Sequence, residues 1–206
     1  MAETIKTPGK RPATESGRKR YHHGNLRQAL LDAAEQILNE GEVSSLTLRS
    51  AAARAGVSHA APTHHFGSLK GLLTALAAEG MHQLADAVEA GFKTGEANRA
   101  YVAFARDHPG LFGLMFDKAR LDIEAPAYME AGGRAFATLT GLARQRLGPD
   151  ADDGAVHRMQ MVIWARAHGY ATLLLSGQLT KFDVGEDQLG GLDTVMWDGG
   201  EGPKLD

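Results

Sequence analysis

The strongest constraint on the fold is a recurrence of apolar side chains at steps of three and four residues, interrupted by glycine. The first such stretch ends at Gly41 and contains Leu26, Leu30, Ala33 and Ile37. This spacing places apolar side chains on one face of an α-helix, and glycine commonly ends such a helix. Sustained two-residue alternation, which would indicate strands, does not occur in the sequence, and neither does an internal repeat. The sequence therefore predicts an all-α protein whose first helix covers residues 25–41.

Two short helices are predicted next. Thr47 can cap a helix over Leu48–Ala55, and Ser58 can cap a third helix over residues 58–66. Pro62 lies late for a helix that begins at Ser58, because proline fits best in the first turn, where no backbone hydrogen bond is lost. We expect the third helix to begin at Ser58, and Pro62 is the feature that argues against this start.

Longer helices are predicted in the rest of the chain. Ser68 can cap a helix with an apolar stripe from Leu69 to Val88, and a glycine-containing break is expected at residues 91–95. Periodic segments predict further helices over residues 97–107, 110–116, 125–147, 153–176 and 186–197.

The composition is that of a globular protein without membrane or disulfide features. Apolar residues make up 43% and charged residues 23% of the chain, and there is no cysteine. This excludes disulfides, thiolate catalysis and cysteine metal sites, and it fits a reducing compartment. The longest apolar run, residues 72–78, is far shorter than the roughly 20 residues that cross a bilayer, and no signal peptide is recognisable. A cytoplasmic protein without a membrane partner is expected.

The net charge of -3 is unevenly distributed along the chain. Residues 1–20 include Arg18, Lys19 and Arg20 and carry almost no large apolar side chains, which predicts a flexible basic arm. Acidic residues accumulate instead from Asp183 onward. Such asymmetry favours a nucleic-acid-facing end joined to a neutral or acidic body, although a solvated tail explains a charge run equally well.

Residues 47–58 predict a sharp turn between two closely crossing helices. Ala52 is small enough to let the helices approach, Gly56 can adopt the positive φ that the turn requires, and Val57 can fill the corner. Such a unit exposes the outer face of residues 58–64, the surface that a helix-turn-helix protein presents to the major groove of duplex DNA. Its core is expected to contain Leu30, Ile37, Leu38, Leu48, Ala55 and Phe66.

A characteristic spacing links Gly56-Val57-Ser58, His65-Phe66, Ser68 and Leu72-Leu73 within residues 47–73. Together with the lead-in at residues 21–27, this segment resembles the DNA-binding domain of the TetR family of bacterial transcriptional regulators. A second resemblance lies further along the chain. Trp164, His168 and Gly169 look like the tryptophan–histidine–glycine signature of one subgroup of C-terminal ligand domains, with residues 105–109 and 111–116 in the places that this subgroup suggests.

The resemblance implies three parts: the arm at residues 1–20, a helix-turn-helix domain at residues 21–68, and a helical effector-binding and dimerisation domain at residues 69–206. The implied partner is double-stranded DNA, and the recognition helix and its surroundings supply the contacts. Positions matching base contacts are His59, Ala60, Ala61, Thr63 and His64, while Thr47, His65 and Ser68 match phosphate contacts. With Ser58, Lys70 and the arm residues Arg18, Lys19 and Arg20, these form the expected DNA-binding set.

Two positions depart from the family pattern. The family usually has a tyrosine where this chain has Thr63, and a lysine where it has Leu69, with Lys70 one place later. Both usual residues contact the DNA backbone. Non-specific affinity is therefore expected to be lower unless the basic arm compensates.

The implied effector is a small apolar molecule. Its expected contacts are Phe104, Phe112, Met115, Phe116, Tyr128, Met129, Trp164 and His168. Aromatic and methionine side chains suit both a pocket and a core, so packing is the alternative for most of them, and for His168 in particular. The chain is expected to act as a homodimer, with the helices at 153–176 and 186–197 of two subunits forming a four-helix bundle.

The expected function is that of a transcriptional regulator, a repressor released from a palindromic operator by the ligand. No P-loop, GxGxxG, HExxH or GxSxG pattern occurs, so no enzymatic activity, cofactor or metal is expected. His22, His23, His59, His64 and His65 invite a metal hypothesis, but their spacing suits no closed tetrahedral site. The alternatives are a helical ligand-binding protein or enzyme with a vestigial DNA-binding unit, and an architectural DNA binder without an effector.

Overall fold

The computed structural model describes residues 26–41 and 43–179, and this part of the chain forms helices and no strand. The helices are α1 Leu26–Glu40, α2 Leu48–Ala55, α3 Ala61–Phe66, α4 Leu69–Thr94, α5 Ala97–Asp107, α6 Pro109–Met115, α7 Pro126–Leu147 and α8 Asp153–Leu175. A short 3-10 turn, Val43–Ser45, precedes α2. The all-α prediction is confirmed. The predicted arm and the predicted helix at residues 186–197 lie outside the described residues.

The first three helices share a small core. Leu30, Leu38 and Ala52 are buried, while Leu48 and Phe66 are half-buried and pack against the core. Because the α2 face that meets α1 carries only methyl side chains at its centre, the two helices lie close together. This packing leaves α3 at the surface.

Helix α4 connects the first three helices to the rest of the molecule. It has 26 residues, so it is about 39 Å long. Ser68 caps its start as predicted, but the predicted break at residues 91–95 is only partly right, because the helix continues to Thr94 and ends at Gly95 with φ +79°. Gly91 lies inside the helix, where a Cβ atom would approach Ala100 Cβ at 2.8 Å. The absence of a side chain at Gly91 therefore allows α4 and α5 to pack closely.

Helices α5 to α8 pack around α4 and form the larger core. Helix α4 contacts α5, α6 and α7, and α8 packs against α5 and α7. The most completely buried side chains of this part include Leu76, Val102, Leu111, Leu114 and Met115. Within the described residues, no helix combines the length and the apolar character that crossing a bilayer demands.

Candidate nucleic-acid interface and ligand cavity

A capped helix and a left-handed glycine form the turn between α2 and α3. The Thr47 hydroxyl oxygen accepts a hydrogen bond from the Ser50 N–H at 2.9 Å, and the Ser50 hydroxyl oxygen accepts one from the Thr47 N–H at 2.8 Å. This reciprocal capping fixes the start of α2. Gly56 ends the helix with φ +67°, and the Val57 N–H donates to the Ala52 carbonyl at 3.0 Å. The positive φ expected at Gly56 is therefore present.

The third helix begins three residues later than predicted. It starts at Ala61 after Ala60, and no side chain caps it. Ser58 lies before the helix, and its carbonyl accepts a hydrogen bond from the Ala61 N–H at 3.0 Å. The prediction that Ser58 caps this helix is wrong, and Pro62 is the physical reason. The later start places the proline in the first turn, where its missing N–H costs no helical hydrogen bond, and its ring is buried.

The residues predicted to contact DNA between positions 47 and 70 form part of the molecular surface. Ala61 and His65 are half-buried. The remaining ones are exposed: Thr47, Ser58, His59, Ala60, Thr63, His64, Ser68 and Lys70. The Ser68 hydroxyl accepts from the Gly71 N–H at 3.1 Å, which fixes the start of α4 beside α3. Arg18, Lys19 and Arg20 lie outside the described residues.

Two cationic residues near this surface are not among the predicted contacts. Arg49 is exposed in the first turn of α2, and the Arg27 guanidinium lies over the Phe66 ring, 5.5 Å from its centroid. Arg54, in contrast, forms a salt bridge with Glu40. Arg49 lies off the apolar stripe of α2, so the sequence alone could have indicated that it is exposed. Arg27 falls within the apolar stripe of α1, so only the tertiary structure shows that it covers an aromatic ring and remains exposed.

A cavity of about 210 Å³ lies between α4, α5, α7 and α8. Of the predicted ligand contacts, Phe116, Tyr128 and Trp164 line it. The remaining lining residues are outside the predicted contact set: Met81, Leu84, Ala85, Val88, Tyr101, Lys118, Gly132, Ala135, Phe136, Thr138 and Leu139. Most of the wall is apolar because these helices turn their apolar stripes toward one another.

The other predicted ligand contacts do not line this cavity. Phe104, Phe112 and Met115 are buried in the core, so the packing alternative describes their position. Met129 is 62% exposed on α7. His168 is half-buried, and its ring centroid is 4.5 Å from that of Phe116, directly behind the cavity wall. Helical periodicity cannot tell whether such a residue lies in the core, at the cavity wall or at the surface, because it assigns all of them to apolar faces.

His168 forms a hydrogen bond with a residue of the cavity wall. Its Nδ1 atom lies 2.9 Å from the Tyr101 hydroxyl oxygen. Burial raises the pKa of Tyr101, an effect that a hydrogen bond from Trp164 opposes, and burial lowers the pKa of His168. Both shifts favour the neutral forms. The contact therefore joins a neutral phenol and a neutral imidazole, and the tautomer of the ring sets which of the two donates.

Helix α6 links the cavity to the DNA-binding helices. At its start, His108 Nδ1 lies 2.8 Å from Glu35 Oε1 of α1. At Gly110 the backbones are so close that an added Cβ atom would lie 2.7 Å from the Leu38 carbonyl carbon. At the other end of the same helix, Phe116 reaches the cavity. One short helix therefore connects the cavity wall to α1, which packs against α2 and α3.

No group of three or more histidine, cysteine, aspartate or glutamate side chains in residues 26–41 and 43–179 is arranged to hold a metal ion. His64 and His65 make an edge-on ring contact, with centroids 5.4 Å apart. His22 and His23 lie outside the described residues.

Two family models match the chain. Residues 30–76 match the bacterial regulatory proteins of the tetR family, and residues 95–189 match a tetracyclin repressor-like C-terminal domain. Together these segments span more than two thirds of the 206 residues.

Several solved structures are similar over most of their length. A protein of unknown function from Rhodococcus sp. RHA1 is 34% identical with a TM-score of 0.71, over 85% of this chain and 96% of that one. A TetR family member from Streptomyces coelicolor A3 is 20% identical with a TM-score of 0.56, over 82% and 96%. A possible TetR family transcriptional regulator from Streptomyces coelicolor A3(2) is 20% identical with a TM-score of 0.55, over 82% and 90%. The last two share the fold alone. No protein with a curated function matches significantly.

The exposed turn on a helical body places the protein among the helix-turn-helix transcriptional regulators. The two family matches allow a narrower statement: the chain belongs to the TetR family of DNA-binding transcriptional regulators. Proteins of this family are in general non-enzymatic. The resemblance noted in the sequence is confirmed, and the assignment of Trp164, His168 and Gly169 to one ligand-domain subgroup stays a prediction.

Proposed function

We propose that this regulator is a repressor that leaves its operator when a small apolar ligand enters the cavity. The observation that supports this most directly is the position of α6, which packs against α1 at Gly110 and carries Phe116 to the cavity wall. A ligand that displaces Phe116 acts on a helix that also touches the DNA-binding unit. Release requires that the ligand bind one arrangement of α6 more tightly than the other, because equal affinity shifts no equilibrium.

The DNA contacts in this proposal come from α3 and the residues around it. The α3 surface presents small side chains and imidazoles that can reach base edges and thymine methyl groups: His59, Ala60, Ala61, Thr63 and His64. Hydroxyl and cationic groups nearby suit phosphates: Thr47, Ser58, His65, Ser68 and Lys70, to which we add Arg49. The basic arm with Arg18, Lys19 and Arg20 supplies further phosphate contacts.

A homodimer is proposed because α8 has apolar side chains on its outer surface. Met161, Val162 and Leu173 are 41%, 43% and 46% exposed. Val162, Gly169 and Leu173 lie on one side of the helix over about 16 Å, with open space beyond Gly169, and Met161 lies about 100° around the helix from Val162. Two copies related by a two-fold axis would place their α3 helices about 34–36 Å apart, which calls for a near-palindromic operator.

The ligand is proposed to be small or slender. The volume of about 210 Å³ lies below the roughly 300–1,000 Å³ of most ligand pockets. The apolar wall favours a ligand with a mainly hydrocarbon surface. A cytoplasmic location is part of the same proposal, because the operator is there.

The test begins with selection of bound duplexes from random DNA by the full chain. We expect a near-palindromic site, and we expect His64→Ala to weaken binding to it by at least tenfold, since a good base contact contributes about 1–3 kcal/mol. His82→Ala on α4, away from α3 and from the proposed dimer helix, is the matched control and should bind normally. Failure to select any duplex would favour the ligand-binding or enzyme alternative. Selection without release by any ligand would favour an architectural role.

The arm is tested separately by deletion of residues 1–20. We expect weaker binding to the selected site and a smaller slope of log affinity against log salt, because each phosphate contact contributes about 0.9 to that slope. An unchanged slope would remove the arm from the interface.

A further inference from the structure

Among the described residues, one charged side chain lines the cavity, Lys118, at the end where α6 stops. Its neighbours Asp117 and Arg120 pair with each other, with Arg120 Nε 2.8 Å from Asp117 Oδ2. Within the described residues, no hydrogen bond or ion pair engages the Lys118 ammonium group. Among residues 26–41 and 43–179, no carboxylate therefore pairs with this cation beside the apolar cavity.

The other polar side chains of the wall are engaged in hydrogen bonds within the protein. The Tyr128 hydroxyl donates to the Met115 carbonyl at 2.9 Å, and the Thr138 hydroxyl donates to the Ala135 carbonyl at 2.7 Å. Tyr101 and Trp164 are engaged in the hydrogen bonds that end at His168. Among the described residues of the wall, Lys118 is thus the polar side chain that has no hydrogen-bond partner within the protein.

We propose that the ligand is an amphipathic monocarboxylate whose anionic group binds Lys118 and whose hydrocarbon part fills the cavity. The inference rests on the proposed function, since it specifies the ligand of the same site. An ammonium group is satisfied best by a charged acceptor, and a carboxylate is ionised at neutral pH. A neutral apolar ligand would leave the exposed ammonium group hydrated and would gain no charge-assisted hydrogen bond from it.

The shape of the cavity suits such a molecule. Tyr128 and Leu139 are the first and last α7 residues in its wall, and eleven residues of helix span about 16 Å. Lys118 and Tyr128 lie at the end next to α6, where Tyr128 is bonded to Met115. Val88 and Thr138 lie at the opposite end, where they also border a second groove near Phe92. The charge is at one end and the apolar length extends away from it.

Octanoate and 1-octanol are suitable probes, because they share a chain length and differ in charge. Binding is followed by the fluorescence of Trp164 in a Trp197→Phe background, which leaves one tryptophan in the chain. Because Lys118 is exposed to solvent, which screens its charge, octanoate should bind only about two- to fivefold more tightly than 1-octanol. The preference should decrease as salt is added.

The matched variants are Lys118→Gln and Lys93→Gln, which remove one exposed charge each, at the cavity and in the last turn of α4. We expect Lys118→Gln to abolish the preference for octanoate with little change for 1-octanol, and Lys93→Gln to change neither. Thermal unfolding of each variant shows that it is folded. Equal affinities for the two probes, a preference that survives in Lys118→Gln, or binding of neither probe would overturn the inference.

Release from the selected DNA separates this inference from the proposed function. Octanoate that binds through Lys118 but leaves the protein on DNA supports the ligand class and contradicts the repressor mechanism. Release by a neutral ligand, with no role for Lys118, supports the repressor mechanism and contradicts the ligand class.

Discussion

Gly110→Ala is expected to damage the contact between α6 and α1, and the structure gives the size of the effect. An added Cβ atom would lie 2.7 Å from the Leu38 carbonyl carbon and closer still to the carbonyl oxygen. Ordinary contacts begin at 3.4 Å, so the two backbones must separate by about 0.7 Å or more. Because a backbone carbonyl cannot rotate away like a flexible side chain, we expect the cost of an overpacked core, about 1–3 kcal/mol.

Gly113→Ala provides the control, because it lies on the same helix with nothing within 4 Å of the added Cβ atom. Replacing glycine by alanine in a helix contributes about 0.5–1 kcal/mol in both variants, so this contribution largely cancels in their difference. At about 2–4 °C per kcal/mol for a chain of this size, Gly110→Ala should melt about 2–12 °C below Gly113→Ala. Gly110→Ala should also bind the selected DNA more weakly. Equal melting temperatures and equal DNA affinities would refute the assigned contact.

Three further substitutions test other parts of the structure. Gly56→Val should lower stability by about 1–3 kcal/mol and weaken DNA binding, because a β-branched residue is strained at φ +67°. Gly56→Asn should be tolerated better, since asparagine adopts a positive φ more readily. A normal melting curve for the valine variant would contradict the assigned turn. Leu69→Lys should increase affinity for non-specific DNA and steepen the salt slope by about 0.9, and an unchanged slope would place this position away from the phosphates. Burial lowers the pKa of His168 in the folded protein below its ordinary value of about 6.5. Below that pH the unfolded chain therefore binds more protons than the folded chain. The contribution of His168 to stability is present above about pH 6.5 and is lost as the pH falls through the folded-state pKa. Melting temperatures between pH 7.5 and 5 should therefore depend less on pH in His168→Gln than in the unchanged protein, and identical profiles would show that burial does not perturb this group.

Local signals were sufficient for most of the helices and for the turn. The helix over residues 97–107 was predicted with the bounds that the structure has, and Thr47, Gly56 and Ser68 have the expected capping or turn conformations. These features depend on hydrogen bonds and φ angles within a few residues, and such interactions can be read from neighbouring side chains. The start of α3 was misjudged because two local signals, Ser58 and Pro62, pointed to different first residues.

The candidate cavity could be predicted only in part. Phe116, Tyr128 and Trp164 were expected to line a ligand site and do line the cavity, whereas Phe112, an aromatic residue four positions before Phe116, is buried in the core. Lys118 and Tyr101 gave no signal, because an isolated lysine in a loop and a tyrosine on an apolar face are ordinary features of a sequence.

The amino-acid sequence by itself determined the all-α architecture, the exposed turn and the family, since each depends on spacing along the chain. The tertiary structure decided which apolar faces enclose an open space, which hydroxyl groups are already satisfied, and that Gly110 meets Leu38 across two helices. The physical reason is that periodicity assigns a residue to a face of its own helix but contains no information on which neighbouring helix that face meets, or at what distance.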